Sequence, residues 1–307
     1  MRNSSTLVEY LNKLSNEGKL DYIENAPLRE YASFKIGGPA AFVVFPYDGE
    51  TLTEVYNFVD KLGARVLVFG NASNVLFCDE GIDGVVIFTT KMKNISLDEK
   101  GVIHADAGVS LMTLAQFAQK NGFGGHEFLF GIPGNCGGAT FMNAGAYEHC
   151  ISEVIDHVTY FDVSERKTVR ASVSELEFGY RESTFRSTGD IVLSVEVKLD
   201  KADDPEAVRA LMEDHLRTRN QKQPLEFPSA GSVFKRYPGY YTSKLIDEAG
   251  LKGVQIGGAQ VSEKHAGFII NRGGATACDV LMLIKHIQDS IFALHGIHIE
   301  CEVIYVV

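Results

Sequence analysis

The residues best placed to do chemistry here are small ones. Ser33-Phe34-Lys35-Ile36-Gly37-Gly38-Pro39 forms one glycine-bearing segment, and Gly70-Asn71-Ala72-Ser73-Asn74 forms another directly after an apolar run. Missing side chains let successive backbone N–H groups approach phosphate oxygens, and Ser73 and Asn74 add side-chain donors, so the pair suits a cofactor pyrophosphate. Two tight turns would account for either segment alone. Neither is a dinucleotide-binding fingerprint, because G-x-G-x-x-G is absent and no helical pattern follows Asn74. A longer run, Gly131-Ile132-Pro133-Gly134-Asn135-Cys136-Gly137-Gly138-Ala139, continues to Asn143-Ala144-Gly145-Ala146-Tyr147. With so many positions lacking bulk, the backbone can lie flat against a planar ring or a pyrophosphate, which packing rarely requires over such a length. The alternative is a buried glycine-rich crossover.

Groups that could act beside such a surface are few. In Phe178-Gly179-Tyr180-Arg181-Glu182-Ser183, an Arg held by strand ends can bind a carboxylate through two parallel bonds and stabilise charge growing on it. A surface ion pair is its plainer role. Ser232 follows Gly231 and opens an apolar run ending at Lys235, so its hydroxyl can donate a proton into a cleft or merely cap a turn. No His–Asp arrangement and no G-x-S-x-G motif marks a hydrolase. Between Arg209 and Lys252 the bases Arg209, Arg217, Arg219, Lys222, Lys235, Arg236, Lys244 and Lys252 outnumber the acids Glu213, Asp214, Glu226, Asp247 and Glu248. That local excess suits a diphosphate, or a solvated helix face. His265 lies in Lys264-His265-Ala266-Gly267, and from Ile297 to Val303 alternation sets Ile297, Ile299, Cys301 and Val303 opposite His298, Glu300 and Glu302. Both acids face either a site or water.

These segments need elements to hold them. Leu7, Leu11 and Leu14 share a face of a helix over 5–17. A strand at Ala41–Phe45, a helix at Thr51–Leu62 and a strand at Arg65–Phe69 make an α/β unit. Short β segments follow at 84–88, 93–97 and 101–105, then a helix over 110–121 with Leu111, Leu114, Ala115 and Ala118 inward. Strands near 153–162 and 190–199 bracket Arg181. The turn KADDPE at 201–206 is the best domain boundary, dividing 1–200 from 201–307. Beyond it, helices are expected near 205–220, 241–249 and 275–294, with strands around 233, 268 and 299–306.

Composition narrows the class. At 307 residues, 45% hydrophobic and 22% charged, the chain suits a folded protein of about two domains. Twenty-nine Lys and Arg against 40 Asp and Glu give −11, which disfavours nucleic acid and anionic membrane as partners. No leader-like start and no apolar run of membrane-spanning length is visible, so the expected location is the cytoplasm. Cys78, Cys136, Cys150, Cys278 and Cys301 are odd in number and widely spaced, which supports neither a disulfide framework nor a metal site.

Taken in order, SFKIGG, GNASN after a strand, GIPGNCGGATFMNAGAY, FGYRESTF, GSVFK, LIDEAGLKGVQIGGAQVSEKHAGFIINRGGATACDV and GIHIECEV resemble one family from about residue 30 onward. That family is the FAD-dependent UDP-N-acetylenolpyruvoylglucosamine reductases of peptidoglycan precursor synthesis. The chain is similar to the shorter form, since little space between Arg181 and Val195 is left for an inserted substrate-covering loop. The resemblance implies an α+β protein: a FAD-binding domain of the vanillyl-alcohol-oxidase (PCMH) type over 1–200, then a smaller α+β substrate-binding domain over 201–307 whose last strand returns to the active site. It implies FAD as cofactor, NADPH as reductant and UDP-N-acetylglucosamine enolpyruvate as substrate; the residues themselves show no metal site, and a monomer is expected.

Residue by residue, the resemblance implies FAD contacts at Ser33, Ile36, Gly37, Gly70, Asn71, Ala72, Ser73, Asn74, Gly131, Pro133, Gly134, Gly137, Gly138, Asn143, Ala144 and Gly145. Arg181 and Glu302 would stabilise an enolic intermediate, and Ser232 would protonate the carbon beside the substrate carboxylate. Glu302 is chosen over Glu300 as the second acid of the L-E-x-E-V pattern. Tyr180, Arg219, Lys222, Lys235 and His265 would meet the substrate. Two departures stand out: Ala72 where glycine is common, and Arg236-Tyr237-Pro238 where Asn-Pro often follows GSVFK. A sugar or alcohol oxidase with the same FAD domain would lack the GSVFK and IECEV elements, and a flavin-binding regulatory module would not need Arg181, Ser232 and Glu302 together.

Overall fold

A computed structural model describes residues 4–307. The chain divides into two compact units: Met1–Glu24, Ala41–Asn71 and Asp83–Arg217 form the first, and Asn25–Ala40, Ala72–Ile82 and Thr218–Val307 form the second. A single division at residue 200 therefore differs from the compact units in two respects. The helix Pro205–Lys222 stays with the first unit to Arg217, and two early segments pack with the late ones. The mixture of helices with parallel and antiparallel strands is the α+β class expected.

The first unit carries a four-stranded sheet in the order Leu20–Pro27, Pro39–Pro46, Ile82–Phe88, Arg65–Phe69, the last two parallel. It also carries a five-stranded antiparallel sheet, Lys167–Ser172, Ile155–Asp162, Ile191–Lys198, Val102–Asp106, Ile95–Leu97. Helix Gly49–Lys61 starts where the Asp48 carboxylate accepts from Thr51 N at 2.7 Å, and buries Leu52, Val55 and Val59 at helical spacing. Leu7, Leu11 and Leu14 of the helix Ser4–Asn16 are buried in the same cluster. Helix Leu111–Lys120 is capped by the Ser110 hydroxyl and buries Leu111, Leu114, Ala115 and Ala118, the four residues its periodicity picks out.

In the second unit four strands run in the order Ser229–Ser232, Phe268–Asn271, Ala259–Val261, Gln255–Ile256, and helix Ala277–His295 lies over them, with Val280, Leu283, Ile284, Ile287 and Ile291 in the core. The terminal strand is shorter than the expected 299–306. Only Ile304–Val306 is a strand, because its parallel partner Val75–Phe77 extends no further, and Cys301 makes one isolated bridge to Phe234. The expected alternation nonetheless holds: Ile299 and Val303 are buried while His298 and Glu300 are exposed. The glycine-dense stretch contains a helix that propensity does not suggest, Cys136–Met142. Among the described residues no helix is long and apolar enough to cross a membrane.

Candidate active site

In the first unit the residues after strand Arg65–Phe69 meet the glycine-rich run. Asn71 donates through Nδ2 to the Pro133 carbonyl at 3.1 Å, and a Cβ on Gly70 would lie 3.3 Å from Asn135 Oδ1. Asn135 donates to Gly108 O at 2.6 Å, while its buried Oδ1 has no protein partner. The glycines differ in purpose. A Cβ on Gly137 would stand 2.7 Å from the Ala107 methyl, so packing alone explains it, and Gly131 serves a turn at φ 98°. Gly138 lies inside a helix with nothing within 4 Å of a Cβ, and the nearest atom to one on Gly134 is 4.0 Å away. Glycine inside a helix costs roughly 0.5–1 kcal/mol relative to alanine, and packing gives no return for it at Gly138. An open glycine surface beside an unpartnered buried acceptor fits a flat, hydrogen-bonding group such as the isoalloxazine of FAD.

Asn143 ends that helix in the left-handed region, φ 42° and ψ 56°. Both of its side-chain polar atoms are engaged: Nδ2 donates to Gly179 O at 2.9 Å and Oδ1 accepts from Ser152 N at 3.3 Å. Gly179 belongs to a two-residue hairpin, Phe178–Gly179 paired with Glu182–Ser183, with Tyr180 and Arg181 at its tip. Arg181, at φ 58°, donates from its guanidinium to the carbonyls of Asn143 and Gly145 at 3.4 and 3.3 Å. Arg186 donates back to Arg181 O at 2.8 Å, and Ser183 donates to Phe141 O at 2.6 Å. The structure thus brings Asn143, Gly145, Tyr180 and Arg181 together, with the guanidinium 5.1 Å from the half-exposed Tyr180 ring. Arg186 and Asn135 were not singled out from sequence. Asn135 sits inside the segment GIPGNCGG and Arg186 directly follows FGYRESTF, which is the local signal they carry.

The second unit gathers the other group. Ser33 N donates to Ala72 O at 3.4 Å, and Gly37, at φ 140°, leaves no room for a side chain, since a Cβ would lie 2.7 Å from Phe77 Cβ. The Ile36 side chain belongs to the core, which leaves its backbone for any ligand. Ala72, where glycine is common, adopts φ 42° and is buried. Asn74 Nδ2 donates to Glu302 O at 3.0 Å, Glu302 N donates to Val233 O at 2.7 Å, and Val233 N donates to Gly267 O at 2.9 Å. This backbone ladder sets Glu302, Ser232 and Gly267 side by side. Ser232 is exposed and Glu302 half-buried. His265 accepts from Gly267 N through Nδ1 at 3.1 Å, and burial holds the imidazole below its usual range, aided by Lys252.

Of the basic residues, Lys235 is largely buried and reaches Glu300 Oε2 at 3.1 Å. Arg209, Arg217, Lys244 and Lys252 pair with acids near them in sequence, as a solvated helix face does. Lys222 is exposed and Arg219 half-buried in the last turn of their helix. The cysteines form no disulfide, and burial pushes the Cys136 thiol up to about 12. Among the described residues Asp156, His157 and Glu196 are spaced as metal ligands could be, but the Arg170 fork holds both Glu196 oxygens at 2.6 Å.

Residues 40–172 match the model of a FAD binding domain, and residues 223–306 match that of the UDP-N-acetylenolpyruvoylglucosamine reductase C-terminal domain. The reductase of that name from Pediococcus pentosaceus is 44% identical over 93% of this chain and 94% of its own. That from Clostridioides difficile is 41% identical over 99% and 98%. The crystal structure of UDP-N-acetylenolpyruvylglucosamine reductase from Thermus caldophilus superposes with a TM-score of 0.78 at 33% identity, covering 94% of this chain and 98% of the other. With both domain models in order and likeness along nearly its whole length, this chain belongs to the UDP-N-acetylenolpyruvoylglucosamine reductase family.

Proposed function

We propose that this chain reduces UDP-N-acetylglucosamine enolpyruvate to UDP-N-acetylmuramate with FAD as cofactor and NADPH as reductant, a step in peptidoglycan precursor synthesis. The observation that carries the reading is the 44% identity, over 93% of the chain, to a relative named as this reductase. When bound, FAD would supply the two-electron redox chemistry by which a hydride passes from NADPH to the enolpyruvyl methylene carbon. Open glycine surface at Gly134 and Gly138 admits the flat ring, and Ser33, Ile36, Gly37, Gly70–Asn74, Gly131, Pro133, Gly137 and Asn143–Gly145 supply its remaining contacts. Arg181 pairs with the substrate carboxylate and stabilises the charge that develops there, which the fixed geometry of its guanidinium favours. Glu302 helps stabilise the enolic intermediate formed at that carboxylate, and Ser232 gives its proton to the carbon beside it. Tyr180, Arg219, Lys222, Lys235 and His265 line the substrate.

The same reading makes the enzyme a cytoplasmic monomer acting on a small molecule, and its net charge of −11 disfavours nucleic acid and anionic membrane as partners. An anaerobic visible spectrum tests the proposal. NADPH should bleach the flavin band, and UDP-N-acetylglucosamine enolpyruvate should restore it. Recovery with oxygen alone would point to an oxidase, and no flavin after reconstitution with FAD would refute the reading.

A further inference from the structure

The glycine-rich segment has to hold its carbonyls still if they are to hold Arg181, and its two flanks converge on one side chain. His215 lies on helix Pro205–Lys222. Its ring stacks on that of Tyr147 with centroids 3.8 Å apart and planes 12° from parallel, and the Tyr147 hydroxyl donates to His215 O at 3.1 Å. On the other side, His215 Nδ1 donates to Glu127 O at 3.3 Å. Glu127 stands just ahead of Gly131 and Tyr147 just after Gly145, so a single imidazole joins the two ends of the segment. Phe128 and His149 meet across the same flanks at 5.5 Å. Tyr147 and Glu148 both adopt left-handed φ, 55° and 67°. Side-chain-bearing residues stay there only when their surroundings over-determine them.

We infer that His215 is a positioning residue for the reaction. By clamping both flanks of 131–145, it fixes the carbonyls of Asn143 and Gly145, and through them the Arg181 guanidinium. This rests on the role proposed above for Arg181. A guanidinium displaced by an ångström loses a two-point pairing with a carboxylate, so the loss falls on the step in which charge builds on that carboxylate.

The test uses holoenzyme of His215→Ala, His215→Phe, Arg181→Ala and the double variant His215→Ala/Arg181→Ala. Both half-reactions are followed by stopped flow, and amide hydrogen exchange is followed over 143–148. His215→Ala should slow flavin reoxidation by UDP-N-acetylglucosamine enolpyruvate about tenfold, leave reduction by NADPH within about twofold, and speed exchange over 143–148. His215→Phe keeps the stack but loses the bond to Glu127 O and should recover only part of both losses, while His215→Ala should add nothing in the Arg181→Ala background. Tyr147→Leu removes the stack from the other side and should reproduce the His215→Ala pattern, which keeps the test available if one variant folds poorly. Normal reoxidation in His215→Ala beside slow reoxidation in Arg181→Ala, or additive losses in the double variant, would overturn the clamp alone. Normal reoxidation in Arg181→Ala would overturn the role of Arg181 and the clamp with it.

Discussion

Gly267 stands where any side chain would press on Ser232: a Cβ there would lie 3.1 Å from the Ser232 hydroxyl oxygen and 3.0 Å from the His265 ring. Both neighbours can yield, since Ser232 is exposed and His265 only partly buried. Gly267→Ala should therefore change stability by less than about 1 kcal/mol. It should move the hydroxyl from its place, slowing flavin reoxidation by substrate roughly tenfold to a hundredfold with reduction by NADPH preserved. Denaturant unfolding beside stopped-flow traces decides it. Unchanged reoxidation would mean that the position of the Ser232 oxygen is not critical.

Ser232→Ala removes the proposed proton donor outright. Loss of a positioned general acid costs typically 10²–10⁴-fold, so reoxidation should fall by about that factor while reduction by NADPH stays near normal. Rapid-mixing absorbance of the two half-reactions separates them. Equal loss in both would show that the serine supports flavin or nucleotide binding instead of proton transfer.

Asn143 braces the hairpin that carries Tyr180 and Arg181. Its buried side chain holds Gly179 O and Ser152 N, and its backbone is left-handed. Asn143→Ala removes one donor and one acceptor and leaves a residue poorly suited to φ 42°. Two lost hydrogen bonds at about 1 kcal/mol each plus about 1 kcal/mol of backbone cost give roughly 3 kcal/mol. Asn143→Gly, which relieves the backbone, should recover about 1 kcal/mol of that. Melts of the three proteins check the order, and a glycine variant no more stable than the alanine one would remove backbone strain from the account.

Much of this was legible because it is local. Leu111, Leu114, Ala115 and Ala118 announce their helix by spacing, Arg65–Phe69 its strand by apolar run and bounding glycine, and His298 and Glu300 their exposed side by alternation. What was not legible depends on distant partners. Helix Cys136–Met142 opens on Cys-Gly-Gly, which propensity disfavours. It is secured instead by Cys136 N and Gly137 N donating to Val109 O and Ala107 O, about thirty residues back. Helix Ala277–His295 is capped in part by Asp79, whose carboxylate accepts from Ala277 N and Cys278 N at 2.9 and 3.2 Å. A cap so far off in sequence leaves no spacing to read. The same holds for the compact units, since Asn25–Ala40 and Ala72–Ile82 join the C-terminal residues through contacts no composition shift marks.

His126 gives the fold a dependence on pH. Its side chain is fully buried, and neither ring nitrogen has a well-formed hydrogen bond. Burial holds its pKa below the ordinary value, outweighing the Glu127 carboxylate and the nearby backbone of Ala115 and Gly124, which favour the charged ring. Between the folded and unfolded pKa values the unfolded chain binds more protons, so stability rises with pH there. Above the unfolded value of about 6.5 the group has no effect. As pH falls below it, stability drops, and the loss levels off once pH passes the lower folded value. His265 acts in the same direction. Urea midpoints between pH 7.5 and pH 5.5 should therefore fall in the wild type and fall less in His126→Leu, which has nothing to protonate. Parallel curves for the two proteins would assign the acid sensitivity to other groups.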